Sequence, residues 1–198
     1  MPIMNVRYRA GSLDRAAKET MAQRLTEVLI DMEGGANTRA GRAFAWVILT
    51  EIPASDLWIG GHADNTFVSS TGAFLVNVIV PEGYMNAAHK SEVHAAVTSV
   101  ITQVMSGSSQ AGVAASVLVV IDEVTEGNWG AGGRTVSLDS IADSVGLPKS
   151  GERFRWVRAY FEAKARQFAS AGYPADVGGL LPSASGHRQP PIGERPGL

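Results

Sequence analysis

The chain begins MPIMNVRY, with a proline directly ahead of an alternating, strand-like run. When the initiator Met1 is removed, Pro2 becomes the amino terminus and its nitrogen a secondary amine rather than part of a peptide bond. The reference pKa of a terminal amine is about 7.7–8.0, against about 10.4 for lysine. Burial in an apolar pocket lowers it further, because desolvation disfavours the charged form. A group titrating near neutral pH is what a general base or acid requires. The same proline also has a purely structural reading, as the first residue of a strand, and composition alone does not separate the two.

Other chemistry is narrowed by what the sequence lacks. There are no cysteines, which excludes disulfides, thiol nucleophiles and cysteine metal sites. His89 and His94 lie five apart on an expected helix and so diverge, while His62 and His187 are isolated. No metal or cofactor is therefore expected, and nothing resembles a phosphate loop or a nucleophile triad. The formal net charge of -2 gives no general case for nucleic-acid or membrane binding. No apolar run reaches bilayer length, and the first residues lack the pattern of a signal peptide. The 198 residues, 45% hydrophobic and 18% charged, suit one compact domain or two small ones sharing a core. The expectation is a cytoplasmic protein.

The elements that must position Pro2 are duplicated. Shifting the chain by 72 residues aligns it with itself without a gap: Asn5 and Val6 fall on Asn77 and Val78, Gly11 on Gly83, Lys18 on Lys90, Gly35 on Gly107, Glu51 on Glu123, and Gly60-Gly61 on Gly132-Gly133. Pseudo-repeats 2–61 and 74–133 each read as β-α-β followed by a glycine turn. In the first, residues 2–9 alternate like a strand. Residues 13–33 place Ala17, Met21, Leu25, Val28, Leu29 and Met32 at helical steps, and "EGG" (33–35) ends that helix. The apolar run 44–51 is the next strand, and "DLWIGG" (56–61) a short hairpin. The second unit repeats this as strand 74–80, helix 86–105 capped by Asn86, strand 116–123 and the turn "NWGAGG". Each crossover leaves two parallel strands with a helix on one face. Two units side by side give an α+β fold, a four-stranded mixed sheet with two helices on one face. The other face is apolar and bare, so self-association should cover it. Glu51 and Glu123 recur at strand ends, which suits a structural role such as accepting hydrogen bonds from the glycine turn.

Over residues 2 to about 146 the chain resembles the tautomerase superfamily, named for 4-oxalocrotonate tautomerase. The likeness rests on the MPI start, on "GSLDRAAKETMAQRLTEVL", and on "WVILTEIPASDLWIGG" with its partner "VLVVIDEVTEGNWGAGG". The two-unit form is similar to the branches of cis-3-chloroacrylic acid dehalogenase and macrophage migration inhibitory factor. The resemblance implies a homotrimer and a catalytic Pro2 that moves a proton between carbon and oxygen of a small enol or α-keto acid. Only the first unit supplies such an amine, because the matching residue of the second is the internal Phe74. The alternatives are a binding or scaffold protein that keeps the fold, or a decarboxylase or hydratase using the same amine.

The family's carboxylate-binding arginines are absent. Their positions hold Ser12 and Trp46 in the first unit, and Tyr84 and Leu118 in the second. Little of the dehalogenase's hydration machinery is present. Arg39, in the loop "NTRAGR", lies 12 residues before Glu51, a spacing that resembles that of the pocket lysine in macrophage migration inhibitory factor. A guanidinium suits a carboxylate, so Arg39 is one candidate cation, and Arg9 and Arg42 are others. Arg7 is expected on the exposed edge. Trp129 falls where the founding enzyme has its hairpin aromatic, and Trp46 and Trp129 either wall the pocket or pack the core. Trp58 reads as packing.

Residues 1–146 thus read as a tautomerase-like domain and 147–198 as a C-terminal extension. The extension is an amphipathic helix over about 152–171 that packs on the assembly, then a Pro/Gly-rich tail. The expected partners are a small-molecule substrate and further copies of the chain.

Overall fold

The computed structural model describes residues 2–35, 37–69, 72–105, 110–174 and 177–182. Gly107, His187 and the tail beyond 182 lie outside the described residues. The first unit runs β1 (Ile3–Arg9), α1 (Arg15–Met32), α2 (Arg39–Phe44) and β2 (Trp46–Ile52). The second runs β3 (Phe74–Pro81), α3 (Ala87–Val104), α4 (Gln110–Ala115) and β4 (Val117–Val124). A hairpin follows, β5 (Gly130–Ala131) and β6 (Arg134–Thr135), then α5 (Leu138–Val145) and α6 (Glu152–Ser170).

The sheet is four-stranded in the order β2-β1-β3-β4. β1 and β2 are parallel, β3 and β4 are parallel, and β1 meets β3 antiparallel. Asn5, the residue matched to Asn77 by the repeat, also faces it across the β1–β3 ladder. The two units are therefore related by a local two-fold through that pair. Met4, Val6 and Tyr8 of β1 and Phe74, Val76 and Val78 of β3 point to the helix side, where Met21, Leu25 and Leu29 of α1 and Val93, Val97 and Ile101 of α3 bury them. The alternate residues face the other way. Trp46, Ile48, Leu118 and Val120 are exposed there, at 58%, 44%, 63% and 37%. The bare apolar face anticipated from the pattern is present in the single chain.

The duplication extends to side-chain contacts. Lys18 pairs with Glu51 at 3.1 Å and Lys90 with Glu123 at 2.6 Å. Glu51 also accepts from the Gly11 N–H at 3.3 Å, so it ties the turn after β1, rather than the glycine turn at 56–61, to the end of β2. Asn86 caps α3, and His89 completes that cap by accepting from the Asn86 N–H.

Two local readings are corrected. Residues 39–44 form a helix rather than a loop, because the Thr38 hydroxyl accepts from the Gly41 N–H as an N-cap and the alanine-containing segment favours helix. Phe44 ends that helix, so the strand starts at Trp46. Arg7 is not on an edge: β1 is an inner strand, and Arg7 is exposed on its bare face.

After the hairpin, Ser137 caps α5 with a capping box, and Gly146 ends it in the left-handed conformation. Phe154, Val157 and Phe161 of α6 are buried in the main core. Tyr160 and Lys164 reach Glu82 at the end of β3, at 2.6 Å each. No helix among the described residues is long and apolar enough to cross a membrane.

Candidate active site

Pro2 is buried at the head of β1, and its carbonyl accepts from the Trp46 N–H at 3.2 Å. That bond follows from the register, in which Ile3 faces Trp46 across parallel strands. Beside this strand start is a cavity of about 320 Å³ lined by Ile3, Ala43, Phe44, Trp46 and Gly130–Gly132. The second unit's hairpin therefore reaches the first strand of the first unit. Trp129 at its base is buried, and its indole N–H has no hydrogen-bond partner among the described residues. The predominantly apolar cavity is thus lined by Trp46 and by the glycines that follow Trp129, and Pro2 adjoins it through its backbone bond to Trp46. Neither the Pro2 nor the Trp129 side chain is among its lining residues.

It does not bring the candidate arginines there. Arg39 opens α2 and is exposed, whereas Ala43 and Phe44 at the other end of that helix line the cavity. Arg42 bonds Glu27 and Asn37, both at 2.7 Å. Arg9 ends β1, about 23 Å from Pro2 along a strand rising about 3.3 Å per residue. It is held there by Asn65 at 2.9 Å and the Ala63 carbonyl at 2.6 Å.

One buried acid at the Pro2 end of the sheet was missed in the sequence. A β-α-β crossover returns the helix antiparallel to its strand, so the C-terminal end of α1 lies at the start of β1. Glu33 is the C-cap of that helix and is only 8% exposed. Burial pushes its carboxyl above the usual range. The Tyr84 hydroxyl donates to the Glu33 carbonyl at 2.5 Å, and burial drives that phenol up to about 12. The Arg153 guanidinium of α6 lies 5.0 Å over the Tyr84 ring and donates to the Met32 carbonyl at 2.8 Å. The "EGG" that marked a helix end was the available signal, had the direction of α1 been followed back to Pro2.

A second acidic centre lies at the same end of the sheet. Both Glu126 oxygens accept from the Leu138 N–H, at 3.1 and 3.2 Å. Burial raises this carboxyl to about 7. Burial also pushes Glu82 up, but its bonds to Lys164 and Tyr160 outweigh that and hold it below the usual range. Among the described residues no cluster of three or more His, Asp or Glu is arranged to hold a metal.

No family model matches the chain. No curated protein matches it at a significant level. Solved structures do. A native fused 4-OT is 25% identical with a TM-score of 0.55, covering 67% of this chain and 94% of its own. The fold is that of the tautomerase superfamily, in its fused two-unit form. A fused 4-OT described as an asymmetric trimer is 22% identical, TM-score 0.54, over 67% of this chain and 94% of that one. A member of the cis-3-chloroacrylic acid dehalogenase family is 21% identical, TM-score 0.55, over 75% of this chain and 94% of that one.

Proposed function

We propose that this tautomerase-fold protein is a keto-enol tautomerase whose base and acid is the Pro2 amine, freed by removal of Met1. The observation that carries the reading is the burial of Pro2 at a strand start beside an apolar cavity walled by Trp46 and the Trp129 hairpin. The amine takes a proton from carbon or enol oxygen and returns it to the other position, so no external oxidant or nucleophile enters. The substrate is a small enol or α-keto acid, and a phenylpyruvate-type side chain suits the cavity. Residues 1–146 carry the activity and 147–198 are added to them. The matched share of the chain, 67% to 75%, supports that division.

The working assembly is a homotrimer. The bare apolar sheet face supports this, as does the trimer of the similar fused 4-OT. In it the carboxylate of an acidic substrate meets Arg39, or Arg9 of a neighbouring copy. The test begins with intact mass, which establishes that Met1 is absent. Ketonisation of phenylenolpyruvate is then followed in the wild type and in Pro2→Ala. The expected result is loss of most of kcat in the variant. Equal rates in the two proteins would remove Pro2 from the mechanism.

A further inference from the structure

The cavity at the start of β1 has no charge of its own. None of its lining residues is ionisable, and the Trp46 indole N–H is taken by the Ala43 carbonyl at 2.9 Å. An acidic substrate needs a cation at the rim, and the hairpin that forms one wall carries one. β5 and β6 are joined by Gly132 and Gly133, both at positive φ, +58° and +74°, the two-residue turn of a tight antiparallel ribbon. That turn sets Arg134 directly opposite Ala131. Residues so paired project from the same face of the ribbon, with Cβ atoms roughly 4.5–5.5 Å apart. Ala131 lines the cavity, so Arg134 stands at its edge on the adjacent strand. The ribbon is anchored at its base, where the Val136 N–H donates to the carbonyl of the buried Trp129 at 3.0 Å. Arg134 itself is exposed, and its guanidinium has no hydrogen bond or ion pair among the described residues. The repeat sharpens the contrast. The residue matched to Arg134 is His62, which faces Ile59 across the Gly60-Gly61 turn and packs edge-on against Phe67 with ring centres 5.4 Å apart. Of the two hairpins, the one that reaches the cavity holds the uncommitted cation.

We propose that Arg134 is the residue by which a single chain selects acidic substrates: it binds the substrate carboxylate at the hairpin rim, while the apolar end of the molecule enters toward Phe44 and Trp46. This rests on the reading of the cavity as the tautomerase site and deepens it to a substrate class and an orientation. A planar guanidinium matches a carboxylate with two parallel N–H bonds. The apolar stem of an arginine follows an apolar surface and leaves the charged head in water, which suits a residue on the edge of this cavity. The enolisable carbon of an α-keto acid lies between its carboxylate and its side chain. In this orientation that carbon sits inside a cavity whose wall includes Ile3, the residue after Pro2. A carboxylate offers about four lone-pair sites, so Arg134 and an arginine of a neighbouring copy are compatible on one substrate. Arg134 differs in belonging to the same chain as the cavity.

The experiment uses the full chain with Met1 removed, as wild type, Arg134→Ala and Arg134→Lys. Arg134 is exposed, so both variants should keep the urea midpoint of the wild type. Ketonisation is followed with phenylenolpyruvate and with its uncharged methyl ester. Arg134→Ala should lose about 10- to 100-fold in kcat/KM for the acid, mainly through KM, and Arg134→Lys less. For the ester the three proteins should agree. A second readout needs no turnover: calorimetric binding of 3-phenylpropanoate, which has the ring and the carboxylate but no ketone. The wild type should bind it about 10-fold or more tightly than Arg134→Ala does, with no such difference for the neutral 3-phenylpropanamide. Equal kcat/KM for the acid in wild type and Arg134→Ala would overturn the proposal and leave the tautomerase reading standing. An equal loss for acid and ester would mark a structural effect and overturn it as well. Arg134-dependent binding of 3-phenylpropanoate in a protein without tautomerase activity would uphold the carboxylate site while refuting the proposed function. A wild type that neither binds the one nor turns over the other would overturn both.

Discussion

Glu126 is only 2% exposed and carries its proton to about pH 7 because burial disfavours its charge; the nearby carboxylates of Glu82 and Asp139 add to that, while the Leu138 N–H and Lys164 oppose it. A carboxyl whose folded pKa lies above its unfolded value binds protons more tightly in the folded state. Its contribution is therefore fully present below the unfolded pKa and is lost as pH rises toward 7. From an ordinary 4.5 to about 7, the loss is roughly 3 kcal/mol. Glu126→Gln keeps an acceptor for the Leu138 N–H and removes the titration, so urea midpoints measured from pH 4.5 to 7.5 should fall less steeply in the variant. Parallel slopes in the two proteins would count against this assignment. Arg39 poses the opposite question, because it is exposed at the first position of α2. Arg39→Ala should leave stability within about 0.5 kcal/mol. If a neighbouring copy's cavity receives its guanidinium, kcat/KM for an acidic substrate should drop by about 1.5–3 kcal/mol, the value of a charge-assisted hydrogen bond. Unchanged kinetics would move that role to Arg9.

At the scale of elements, the duplicated units diverge where the C-terminal helix docks. Gly11 and Gly83 are equivalent and both have positive φ, +81° and +72°. A Cβ at Gly11 would meet nothing within 4 Å, whereas one at Gly83 would lie 2.5 Å from the Tyr160 ring. Gly11→Ala should cost about 1–2 kcal/mol of backbone strain, and Gly83→Ala measurably more, because α6 must also shift. Phe161→Ala, at the buried centre of that contact, should cost about 3–5 kcal/mol. Chemical denaturation of the three variants gives the order directly. The same elements show what the sequence could carry. The strands and long helices were legible because apolar spacing distinguishes a period of two from 3.6, and because the repeat gave each unit two readings. α2 was not, since a six-residue helix has too few turns for periodicity and depends on the Thr38 cap. The pocket was half legible. Pro2 and Trp46 meet because the β1–β2 register fixes them, whereas the arginines were sought by spacing along the chain, which says nothing of sheet ends. Arg9 and Pro2 sit on one strand at opposite ends of it. Glu33 was hidden because a buried glutamate looks in sequence like any other helix-end carboxylate.

For the whole molecule, the decisive surface is the sheet face turned away from the helices. Trp46 and Ile48 on one edge strand and Leu118 and Val120 on the other are exposed, with Ile3, Leu75 and Ile79 partly covered between them. An apolar patch of this breadth is uncommon on a monomer and marks an interaction surface. Asn5 and Asn77 stand at its centre on the local two-fold. Asn77 donates to Asp122 at 3.0 Å, while its side-chain oxygen is buried without a partner among the described residues. A face that is apolar at both edges and polar on the axis suits association with copies of itself, in one register rather than any. In the proposed trimer, Leu118→Asp places a carboxylate on the sheet face of each copy. Burying an unpaired charge costs several kcal/mol, far beyond what one interface residue can offset. Leu118 is exposed in the single chain, so the substitution should leave the fold intact. Sedimentation equilibrium should therefore report trimer for the wild type and monomer for Leu118→Asp over the same concentrations, with circular dichroism unchanged. Ketonisation activity should fall with the monomer if the active pocket needs its neighbours. A wild type that sediments as a monomer at every concentration would refute the trimer outright. A variant that is monomeric yet fully active would show that the cavity bounded by Ile3, Phe44, Trp46 and the Gly130–Gly132 hairpin is complete within one chain.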